Sequence, residues 1–85
     1  MTRHDLEAWL DHHLDEDVLV EWHSLYGGVV TDKISTSGVL RKESGEYLAG
    51  DAPLDLTEFE AADFMNQGVV VELGRQSVEL YIALS

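Results

Sequence analysis

The stretch from Leu10 to Val18 sets His12 and His13 among Asp11, Asp15, Glu16 and Asp17. Imidazoles and carboxylates hold divalent ions and pass protons, so a metal site or an acid/base pair is the first reading to test. On a helix, adjacent residues diverge by about 100°. His12 and His13 therefore cannot grip one ion, and a site would need His12 with Glu16 plus a third ligand from elsewhere. No HExxH spacing supplies one. His13 falls inside the apolar stripe formed by Leu6 and Leu10, which predicts a partly buried packing residue with one nitrogen hydrogen-bonded. His4 projects toward the Asp11 side, and His23 stands beside Glu21 on a strand. No metal ligand set and no cofactor are expected.

Nucleophilic chemistry finds no better support. The serines at 24, 35, 37, 44, 77 and 85 lie in no GxSxG-like turn, and Gly27-Gly28 falls short of a phosphate-binding loop. Cysteine is absent, which excludes disulfides, thiolate zinc sites and thiol catalysis. No catalytic residue is assigned, and a non-enzymatic protein is expected.

The elements that would position these groups follow from period and punctuation. Thr2 with Asp5 reads as a capping pair, and Leu6, Trp9, Leu10, His13 and Leu14 keep helical spacing, predicting a helix from about 3 to about 15. From Asp17 the period becomes two, with Val18, Val20 and Trp22 on one face and Leu19, Glu21 and His23 on the other. Tyr26-Gly27-Gly28 turns the chain into a run from Val29 to about Glu43, with a bend expected at Gly38, and Ser44-Gly45 closes a hairpin into Glu46–Ala49. After the break at Gly50–Pro53, Thr57-Glu58-Phe59-Glu60 reads as a capping box for a second helix of about ten residues ending at Gly68. Two strands, 69–73 and 78–84, complete the chain around Gly74–Ser77.

The chain of 85 residues, 45% apolar, makes one domain spanning 1–85 with a thin core. Its expected fold class is α+β in the order α-β-β-β-α-β-β: a bent antiparallel five-stranded sheet, or a small barrel, with two helices. That element order resembles SH3- and Sm-type barrels. The opening MTRHDLEAWL has no apolar signal region and no run reaches membrane-spanning length, so a cytoplasmic protein is expected.

Charge is the informative feature. Seventeen Asp and Glu against five Lys and Arg leave a formal charge of -12, which repels nucleic acid and anionic membranes and attracts basic protein surfaces. Glu7, Asp11 and Asp15 fall on the polar side of the first helix. If Arg75 and Gln76 form the last loop tip, Glu72 lies across from Glu79, a repulsive pair that a sequence tuned only for stability would avoid. Glu7, Asp11, Asp15, Glu72 and Glu79, with Tyr81 adding buried area, are the predicted contacts for a basic partner, expected to be a nucleic-acid-binding protein whose phosphate sites the carboxylates imitate. In size and charge the chain resembles phage-encoded inhibitors such as anti-CRISPR and anti-restriction proteins. The rival expectation is a structural or adaptor barrel that self-associates as a homodimer, its acidic surface serving solubility as in salt-adapted proteins.

Overall fold

The computed structural model describes residues 2–82. Helix α1 (Arg3–His12) begins with the predicted capping box: the Thr2 hydroxyl accepts from the Asp5 amide at 3.2 Å, and the Asp5 carboxylate accepts from the Thr2 amide at 3.1 Å. The bond from the Thr2 amide is the leading cause holding the Asp5 carboxyl below its ordinary range, and the Thr2 hydroxyl adds to it. The helix ends at His12 rather than near residue 15. Asp15 adopts a left-handed φ of 70°, and its amide donates to the Leu40 carbonyl at 2.8 Å while the Leu40 amide donates to Glu16 at 3.0 Å. The sheet thus captures the chain before another helical turn forms.

Seven strands follow: β1 (Asp17–Tyr26), β2 (Val29–Glu43), β3 (Glu46–Ala49), β4 (Ala52–Leu54), β5 (Phe59–Met65), β6 (Gly68–Leu73) and β7 (Gln76–Ile82). They form one antiparallel sheet in the order β4-β3-β2-β1-β7-β6-β5. This corrects the expected α+β class, its α-β-β-β-α-β-β order and its two helices. Among the described residues there is one α-helix, and β4 and β5 occupy opposite edges of a seven-stranded sheet, so the five-stranded barrel is not formed.

The predicted second helix does not form, and residues 59–65 pair with β6 instead. The Asp55 carboxylate caps a single 3-10 turn, Leu56–Glu58, by accepting from the Thr57 amide at 3.1 Å, and Phe59 then leaves in an extended conformation with φ -59° and ψ 128°. A register shift between Phe59 and Ala61 makes a bulge in β5, so that Phe59 and Ala62 meet Leu73 and Val71 on the same side of the sheet. Two inward residues three positions apart imitate helical spacing. At Gly38 β2 is not interrupted, and just beyond it the strand passes from pairing with β1, through Val39, to pairing with β3, from Leu40. A Cβ at Gly38 would sit 2.6 Å from the Gly50 backbone, so the glycine permits close approach to the β3–β4 turn.

Leu6 and Leu10 of α1 are fully buried against Val18, Val20, Leu40, Val69, Val71, Val78 and Leu80. Tyr47 of β3 donates to the Asp11 carboxylate at 2.6 Å, and Lys42 lies 3.5 Å from the same oxygen. On the other side Trp9 approaches Phe64 of β5, with ring centroids 6.5 Å apart. Since β3 and β5 lie toward opposite ends of the strand order, the sheet must curve around the helix. No helix among the described residues is long and apolar enough to cross a membrane.

The Tyr47 hydrogen bond is the main cause holding the Asp11 carboxyl low. A depressed carboxyl contributes stability above its ordinary value of 3.8, and that contribution disappears as pH falls through the lower folded value. Tyr47→Phe should therefore lower the melting temperature at neutral pH by about 4 °C, with the gap to the parent closing below pH 3.8. A gap of constant size across that range would show that the bond does not set the acid limb.

Candidate functional site

Because α1 covers one face of the sheet, the alternate residues of the central strands stand on the other. Val20 and Leu80 are buried beneath that surface, and their neighbours Glu21 and Glu79 face each other across β1 and β7. Continuing outward, Glu79 pairs with Val70 and Val70 with Asp63. The adjacent row runs from Lys33 through His23 and Ser77 to Glu72. Four carboxylates thus share one face, with Lys33 the sole ammonium in these two rows.

The repulsive pair expected from sequence exists with a different member. Gly74, at φ 62°, and Arg75 form a two-residue turn in which Leu73 pairs with Gln76, so Glu72 lies opposite Ser77 and the carboxylate facing Glu79 is Glu21. The expected Leu73 to Val78 register differs from this by two residues. A shift of two leaves every side chain on its original face, so hydrophobic alternation cannot detect it.

Glu21, His23 and Glu79 are each about three-quarters buried or more, with side-chain exposures of 23%, 17% and 27%. His23 Nε2 lies 3.8 Å from Glu21 Oε2 and 4.0 Å from Glu79 Oε2. Lys33 Nζ stands 3.5 Å from the other Glu21 oxygen, Oε1. The Tyr81 hydroxyl donates to Glu79 Oε2 at 2.5 Å. That bond is the main influence holding the Glu79 carboxyl low, and it is the leading cause pushing the Tyr81 phenol up to about 12.

No protein-family model, curated protein or solved structure matches this chain.

The six residues predicted as contacts divide between two sides of the molecule. Glu72, Glu79 and Tyr81 lie on the outer sheet face, whereas Glu7 and Asp11 belong to the helix that covers the inner one. Glu7 lies 3.4 Å from Arg3, Asp11 is engaged by Tyr47 and Lys42, and Asp15 sits in the turn beyond the helix rather than on its polar side. His13 is inward as expected, its Nδ1 2.9 Å from Glu16 Oε2. That contact directs Glu16 to His13 instead of His12. Sequence reasoning did not assign Glu21, His23, Lys33 or Asp63 to a site. The spacing of Glu21 and His23 does place them on one strand face, but their meeting with Glu79 depends on β1 pairing with β7.

The raised Tyr81 phenol contributes stability below its ordinary value of 10.0, and that contribution is lost as pH rises through about 12. Ultraviolet titration should show one tyrosinate midpoint near 12 that is missing from Tyr81→Phe and shifted downward in Glu79→Gln. A Glu79→Gln curve identical to the parent would disconnect the two side chains.

Proposed function

We propose that this chain is a non-enzymatic protein-binding module whose acidic outer sheet face docks onto a basic surface of a partner protein. The observation that carries this reading is Glu21 placed directly opposite Glu79, with Asp63 and Glu72 on the same face. A like-charge pair across strands destabilises a sheet by some tenths of a kcal/mol up to about 1. Its retention supports a use for concentrated negative charge beyond folding. The partner chemistry that fits is an array of Arg and Lys, such as the phosphate-binding groove of a nucleic-acid-binding protein, where carboxylates stand in for phosphates. An inhibitor that blocks such a groove is the finer form of the proposal.

Association through this face should be fast and salt-sensitive. In capture experiments at about 50 and about 500 mM salt, a partner held at the lower concentration should be released at the higher and displaced by a duplex oligonucleotide. The double variant Asp63→Lys/Glu72→Lys should lose the partner while keeping its melting temperature within a few degrees. Undiminished capture by the folded variant would remove the reading.

A second reading, self-association, is favoured by β2. Among the described residues, positions 29–37 pair with β1 on one edge only, while β3 pairs with Leu40–Glu43. Val29, Val30 and Ile34 on this open edge are 64%, 54% and 55% exposed. An uncovered, β-branched edge is a template for strand addition. Sedimentation analysis should then show a dimer that Ile34→Lys dissociates, and a monomer at every concentration would dismiss it.

A further inference from the structure

We propose that Glu21, His23 and Glu79 bind one first-row divalent cation, with zinc the best match. Their donor set is one imidazole nitrogen and two carboxylate oxygens, all within 4.8 Å of one another. The sheet supplies the arrangement: Glu21 and His23 alternate along β1, and Glu79 stands opposite Glu21 on β7. A second observation is independent of the clustering. His23 Nε2 is buried without a hydrogen-bond partner, and its separations of 3.8 and 4.0 Å from the two carboxylates are too long for hydrogen bonds. Buried polar nitrogens without partners are rare, and one directed between two carboxylates has the form of an unfilled ligand position.

Zinc bonds of about 2.0–2.2 Å in tetrahedral geometry need donors roughly 3.3 Å apart. The His23 nitrogen lies 3.8 and 4.0 Å from the two carboxylate oxygens, so rotamer adjustments of these side chains on a fixed backbone would draw the donors onto one ion. The two carboxylates would neutralise the dication with His23 as the neutral ligand, and the outer sheet face leaves a further position open to water. Mixed nitrogen and oxygen donors favour zinc and its neighbours over magnesium or calcium, which prefer oxygen alone.

The surrounding contacts orient the ligands. Tyr81 holds Glu79 by its hydrogen bond, and Lys33 attracts Glu21 Oε1, leaving Oε2 toward His23. Lys33 is also the resident competing cation, and its 55% exposed side chain is free to swing into solvent when an ion enters. This inference does not rest on the docking proposal. An ion here needs no partner, and Asp63 and Glu72 take no part in binding it.

Calorimetric titration of the metal-free protein with zinc chloride, read alongside the melting temperature, provides the test. One equivalent should bind and raise the melting temperature. His23→Gln and Glu79→Gln should abolish both effects, and Tyr81→Phe should weaken binding by about tenfold. His12→Ala and the folded Asp63→Lys/Glu72→Lys variant should bind as the parent does, which separates ion binding from the helix end and from partner docking. Absence of binding, or binding that survives His23→Gln but is lost in His12→Ala, would overturn the proposal.

Discussion

The structure depends on the burial of Leu6 and Leu10 against one face of the sheet. A strand alternates its side chains, so covering one face of a sheet forces the other toward water. Val18, Val20, Val69, Val71, Val78 and Leu80 accordingly point toward α1. Their alternates on β1 and β7, Glu21, His23, Glu79 and Tyr81, occupy the outer surface. Slipping a central strand by one residue would exchange these sets and bury carboxylates against leucine. The apolar face therefore excludes the neighbouring registers more strongly than any outer-face interaction could.

Magnitudes explain why the outer face is free to carry opposed charges. Burying a leucine or valine side chain contributes about 1.5–3 kcal/mol, and the core contains many of them. Cross-strand pairs are worth at most about 1 kcal/mol, and exposed ion pairs often less. The core thus overrides the repulsion between Glu21 and Glu79, which Lys33, His23 and the Tyr81 hydroxyl also moderate. Asp11 illustrates the opposite use of a carboxylate. Its bond to Tyr47 joins α1 to β3 and its contact with Lys42 joins α1 to β2, giving that acid a structural role on the opposite side of the sheet.

Features governed by neighbours in the chain were legible. The Thr2–Asp5 capping box, the inward His13, and the turns at Gly27-Gly28 and Ser44-Gly45 all occur where local pattern places them. Residues 59–65 misled because the bulge makes a strand imitate helical spacing, and Ala61-Ala62 adds helix-favouring residues. Pairing with the valine-rich β6 overrides that preference. Tertiary capture similarly shortened α1, where the Asp15 to Leu40 bond ties the turn to β2.

From its sequence alone this protein had a determined charge, an amphipathic first helix, the two faces of its β1, β6 and β7 strands, and the turns at Gly27-Gly28 and Ser44-Gly45. Those properties act within a few residues, through backbone conformational preference and periodic burial. Tertiary structure decided the number of strands, their order and their mutual register. It brought Glu79 to Glu21 and His23 from more than half the chain away. It also assigned Asp11 to the fold and left Glu72 on the acidic face beside Ser77. Alternation specifies a residue's face; only hydrogen bonding between strands specifies which residue it meets there.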